Sequence, residues 1–169
     1  PPNPVPVDEN GEPNVDIDID KVKLDGDCTI TGTSGNYKEF KDITAAGSSN
    51  ILGYGTVTCK DGTSASFMMR EHQQSRNDAG VHVAGIVGYM DGTARDIFGI
   101  YGYYKTTSVF PVWFMGPLGW LPIGATALVL AQAPKADPLV LFGIAFGLDI
   151  SHHYGAIEVI QIPKIETDP

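Results

Sequence analysis

The side chains best suited to acid–base chemistry in this sequence are its four histidines, His72, His82, His152 and His153. The run Ser151-His152-His153-Tyr154 follows Asp149 closely, so a hydroxyl, two imidazoles and a carboxylate lie within a few residues. An enzyme built there would use His152 or His153 with Asp149, in a cleft where they converge with shifted titration. The same run could supply two metal ligands. Adjacent residues on a strand point to opposite faces, however, so the pair does not chelate one ion unless a turn intervenes. The simplest expectation is surface histidines in a polar hairpin turn, with no metal.

Other chemistry is poorly supported. No Gly-x-Ser-x-Gly elbow is present, and Gly32-Thr-Ser-Gly35 reads as a turn. Asp16-x-Asp18-x-Asp20 resembles the opening of a calcium loop. Lys21 stands where that loop needs glycine, and Asp27 where it needs glutamate. There is no phosphate-cradling loop, dinucleotide fingerprint or glycosylation sequon. No catalytic residue, metal or cofactor is assigned from the sequence.

The elements that would carry these residues are short strands. Val22–Thr31, Ile51–Lys60, Ser64–His72, Val81–Met90 and Arg95–Lys105 follow in quick succession, with Asp61-Gly62 and Asp91-Gly92 as expected hairpin turns. Glu71–Ala79 is polar and reads as a turn or short helix. In Val140–Ile150 one parity is bulky (Val140, Phe142, Ile144, Phe146, Leu148, Ile150) and the other mostly small (Leu141, Gly143, Ala145, Gly147, Asp149). Gly155–Ile162 reads as a last strand pairing back on Val140–Ile150. Glycine recurs beside bulky residues, as strong curvature requires. The expected fold is all-β, a curved antiparallel sandwich or small barrel with an extended N-terminal arm.

Composition agrees with that fold. The 169 residues include 20 glycines and 12 prolines, which punctuate short elements rather than long helices. Residues 1–20 form an acidic, proline-rich arm, and residues 21–165 a single β domain. The arm holds six carboxylates and no Lys or Arg, so most of the net charge of −9 lies there. No basic cluster exists to neutralise phosphates, which excludes a nucleic-acid partner. The arm ends in Val15-Asp-Ile-Asp-Ile-Asp20, an alternating strand with Val15, Ile17 and Ile19 on one face. It can pair with its own domain, or add to the sheet edge of a neighbour.

Cys28 and Cys59 sit in threonine-rich strand text without metal or redox spacing, and the expectation is a disulfide. Two buried thiols are the alternative. The chain starts Pro-Pro-Asn-Pro, in keeping with a removed signal peptide or a trimmed chain. We expect export to a periplasm, outer envelope or extracellular space.

Thr106–Pro134 lacks any charge and is long enough to cross a bilayer. Pro111, Pro117 and Pro122 break it, each costing a helix about 3 kcal/mol. It therefore divides into an irregular loop, Val109–Trp120, and a core strand, Gly124–Ala131. The loop carries Phe110, Val112, Trp113, Phe114, Met115, Leu118 and Trp120. Folded back, it is a lid; exposed, it is a contact site for protein or a membrane surface.

Three functions follow as expectations. The first is a non-enzymatic structural or interaction subunit of a cell-envelope or extracellular assembly, touching other subunits or copies of itself. The second is a β-barrel binding an apolar small molecule or lipid. The third is the histidine-dependent enzyme.

Overall fold

The computed structural model describes residues 22–36, 51–110, 123–132 and 138–162. They form seven strands: β1 Cys28–Gly35, β2 Ile51–Cys59, β3 Ser64–Asp78, β4 Val81–Met90, β5 Gly99–Val109, β6 Ile123–Ala131 and β7 Leu139–Gln161. Among the described residues the helical content is one 3-10 turn, Ala94–Ile97. The arm with Val15, Ile17 and Ile19 lies outside the described residues, as do Val112, Trp113, Phe114, Met115, Leu118 and Trp120.

Every strand pair is antiparallel, and β7 occupies two places in the sheet. Its first half pairs with β4 (Leu148 opposite Val81) and with β6 (Phe146 opposite Ile123). Its second half pairs with β5 (Asp149 opposite Val109) and with β3 (Ser151 opposite Asp78). From β4 the pairing runs through the first half of β7, then β6, β5, the second half of β7, β3, β2 and β1, and returns to β4. The sheet thus curls round on itself as a small barrel, which removes most exposed strand edges. Where β7 changes partners stands Gly147 with φ 131°, a backbone region that side-chain-bearing residues avoid.

Alternation fills the interior. Ile30, Val57, Phe67, Met69, Leu128, Leu141 and Ile157 are all fully buried, each stabilising the fold by roughly 1.5–3 kcal/mol. Cys28 and Cys59 are opposite residues on β1 and β2, with Cα atoms 4.0 Å apart, and form the expected disulfide. Their separation of 31 residues corresponds to about 3–4 kcal/mol in the chain-entropy model.

Several local expectations are corrected. Gly155–Ile162 is not a separate strand folding back on Val140–Ile150; both belong to continuous β7, because β5 and β3 flank it where the turn was expected. Glu71–Ala79 is no helix: Glu71–Asp78 prolongs β3, paired with the second half of β7, with Glu71 buried and Asn77 and Asp78 exposed. Gly32–Gly35 lies inside β1, with Gly32–Ser34 paired on both sides and Gly35 paired with β4, rather than in a turn. Asp61-Gly62 does join the hairpin β2–β3, with Gly62 at φ 88°. Asp91-Gly92 joins no hairpin: it leads into the 3-10 turn, and β4 and β5 have other partners. The first strand begins at Cys28 rather than Val22.

Candidate functional site

One end of the barrel interior is built from charged and polar side chains. Inward parity on β4 gives His82, on β5 Tyr103, Lys105 and Thr107, on β6 Thr126, and on β7 Asp149, Ser151 and His153. None of these is more than 4% exposed. The same parity on β4 and β5 carries the apolar residues Ala84, Ile86 and Val109, so the strands continue inward-facing whatever the chemistry of the side chain.

Asp149 is the hub. Its Oδ1 accepts from the backbone N–H groups of Ala79 (3.1 Å) and Gly80 (2.9 Å), which fixes the β3–β4 turn. Its Oδ2 accepts from Asn36 Nδ2 at 3.2 Å and pairs with His82 Nδ1 at 2.7 Å. Asn36 in turn accepts from the His82 backbone N–H at 2.8 Å, tying the end of β1 to β4. A buried carboxylate with this many donors is compensated rather than stranded.

His82 lies between opposing influences. Burial, then the nearby Lys105 charge, lower its pKa from 6.5 to about 4, against the raising effect of Asp149. At neutral pH the ring is uncharged, donating from Nδ1 to Asp149 and accepting at Nε2 from Lys105 Nζ, 3.0 Å away. Thr107 Oγ1 is also 3.4 Å from Nε2. Hydroxyl, imidazole and carboxylate in line have the outline of a nucleophile relay. The proton order argues otherwise. Thr126 donates to the Thr106 carbonyl at 3.1 Å, so Thr107 donates to Thr126 at 2.8 Å and the His82 lone pair is met by Lys105. The arrangement performs the work of a buried polar brace, crossing four strands.

A second cluster continues it. Tyr103 donates to Glu71 Oε1 at 2.7 Å, and His153 Nε2 pairs with Asp78 Oδ1 at 2.5 Å. His153 Nδ1 faces Glu71 Oε1 at 3.9 Å, beyond hydrogen-bond reach. Asn36 Nδ2, 3.3 Å from Asp78 Oδ1, links the two clusters.

These positions revise the histidine expectations. His153 is fully buried in mid-strand rather than on the surface in a turn, because β3 and β5 pair with the backbone there. His152 points to the other face, edge-on to Tyr104 with ring centroids 4.5 Å apart, so the two adjacent histidines do not converge. Asp149 is joined to His82 instead of either of them. Sequence reasoning missed His82, Lys105, Thr107 and Glu71 as one group; the available signal was their shared parity with core residues.

Outside the barrel the bulky face of β7 turns away from the interior. Ile144 is 59% exposed, Phe146 51%, Leu148 57% and Ile150 61%. Val81 on β4 and Ile123 on β6 lie opposite Leu148 and Phe146 and are exposed as well. The reason is curvature: the inner side of a bent strand has little room, and Gly143, Ala145 and Gly147 take it. Of the loop expected at Val109–Trp120, two residues are described: Val109 is the buried last residue of β5, because β6 and β7 pair with it, and Phe110 just past it is 48% exposed.

No family model, curated protein or solved structure matches this chain. The reading of both regions therefore rests on their own chemistry. A cavity of about 360 Å³ lies at the opposite end, lined by Tyr89, Met90, Ile97, Tyr101, Leu130 and Leu139 together with Lys23, Asp91, Asp96 and Gln132. Burial, with Asp96 adding to it, pushes Tyr101 up to about 12. No group of three or more potential ligand side chains is placed to hold a metal among the described residues. No helix among them is long and apolar enough to cross a membrane.

Proposed function

We propose that this chain is a non-enzymatic interaction protein of an exported assembly, docking a protein partner through the outer face of β4, the first half of β7 and β6. The observation that carries this reading is the row Ile144, Phe146, Leu148 and Ile150, each more than half exposed. The strand stretches Val81–Tyr89, Ile123–Ala131 and Leu139–Leu148 contain no Lys, Arg, Asp or Glu. Contiguous apolar surface of this kind is rare on an isolated soluble chain and marks a contact. The disulfide supports an oxidising compartment, where such bonds persist. Phe110 and Ile123, both about half exposed, extend the same face.

The apolar character is one-sided. Next to β4 in the sheet, β1 and β2 present Thr29, Thr31, Thr56 and Thr58 to solvent. A barrel immersed in hydrocarbon needs an apolar belt on all sides, so a single neighbour fits this surface better than a bilayer. A photoreactive phenylalanine analogue at position 146, compared with one at the exposed position 56, tests the reading in producing cells. Protein adducts from 146 and none from 56 are expected; equal yields, or none from either, would overturn it.

A second reading, a small-molecule binder, draws on the 360 Å³ cavity. Its lining mixes Tyr89, Ile97, Tyr101 and Leu139 with Gln132 and the Lys23–Asp91 pair, which suits a compact ligand carrying both apolar and polar groups, rather than a lipid threaded through an interior that side chains occupy.

A further inference from the structure

We infer that the partner on this face is a second copy of the same chain, packed about a two-fold axis with the β7 row of each copy seated beside that of the other. The inference rests on the docking reading above and gives it a specific occupant.

Shape is the first argument. Ile144 stands opposite Gly85 on β4 and opposite Ala125 on β6, and all three point outward. Ile144 is thereby a knob with low ground on both sides, between Val83 and Val87 on β4 and next to Ile123 on β6. A side chain built at Gly85 would meet nothing within 4 Å, so that flank is open. Knob and hollow on one surface make it self-complementary: under a two-fold rotation, Ile144 of each copy enters the hollow at Gly85 or Ala125 of the other.

Charge is the second. The protein carries −9, and a like-charged copy can approach closely only where neither surface presents charge. The β4–β7–β6 face meets that condition. A lipid headgroup surface would be recognised through basic residues around the patch. Among the described residues, Lys23 pairs with Asp91 at the cavity end, Lys60 at the end of β2 with Asp25, and Arg70 with Glu158 on β3 and β7, all away from this face.

Area is the third. Ile144, Phe146, Leu148, Ile150, Val81 and Ile123 are each about half exposed and together offer several hundred Å². That approaches the roughly 800 Å² that one partner contributes to a standard interface.

The test uses the full-length purified chain and the same 146 adduct. Sedimentation at micromolar concentration is expected to give twice the 18.1 kDa chain mass. Ile144→Asp, placing carboxylates against each other across the axis, is expected to give the single-chain mass with unchanged circular dichroism. Gly85→Phe, which fills the hollow without adding charge, is expected to weaken the dimer at least tenfold. If Ile144→Asp fails to fold, Gly85→Phe alone decides. An adduct from position 146 of any mass other than twice the chain, with a monomeric purified protein, overturns the second copy while leaving the docking face intact. No adduct at all removes both.

Discussion

The two halves of β7 are one strand under opposite rules. In the first half the outward side chains are large and apolar while the inward ones are mostly small; in the second half the inward side chains include Ser151 and His153, buried among Glu71, Asp78 and Tyr103. The inside of this barrel is partly ionic and part of its outside is hydrophobic. Each inversion costs free energy, and the compensation differs. The interior polar groups, His153 Nδ1 excepted, are compensated within the chain by hydrogen bonds. The exterior ones gain most when another surface covers them.

That contrast is sharpest between neighbours Leu148 and Asp149. Asp149→Ala leaves the donors of Ala79, Gly80 and Asn36 and the His82 ring without their acceptor. We expect a loss of about 3–5 kcal/mol in urea unfolding of the reduced-concentration monomer, the scale of a broken buried charge cluster. A loss under about 1 kcal/mol would mean that the hub is dispensable.

Next in size is the pH response of His82. Its folded pKa of about 4 lies below its ordinary 6.5, so the unfolded chain takes up the proton first as pH falls. The stability from keeping the ring neutral is full above about 6.5 and is lost as pH falls toward 4, by about 3 kcal/mol. Denaturation midpoints between pH 7 and 4 should show that decline in the native protein and a shallower one in His82→Gln. Parallel slopes would remove His82 from the brace.

The smallest effect is expected one residue away. Leu148→Thr on the outer face should change the stability of the single chain by no more than about 0.5 kcal/mol while lowering self-association. A large loss of monomer stability would place Leu148 in a core, not on a docking face.

The legible part of this molecule was its local pattern. Alternation marked β2, β4 and β6 nearly to the residue, Asp61-Gly62 marked a hairpin, and the cysteines announced their bridge. Each depends on neighbours in sequence: a period of two, a positive φ, a thiol pair in strand text. The polar brace was hidden because His82, Lys105 and Asp149 come from three strands, and nothing local says that a lysine at an inward position will find an imidazole there. The same limit applied to Asp91-Gly92, whose turn residues permit a hairpin while strand order decides whether one forms.

By itself, then, the sequence determined that the chain is built of short antiparallel strands, and that β7 has one bulky and one small face. Which face points inward was decided only by closure of the barrel, since curvature leaves room inside for glycine and alanine and none for a row of isoleucine and phenylalanine. Closure also decided which polar side chains meet, because it brings β4 and β5 to opposite flanks of β7 and sets His82 and Lys105 together beside Asp149.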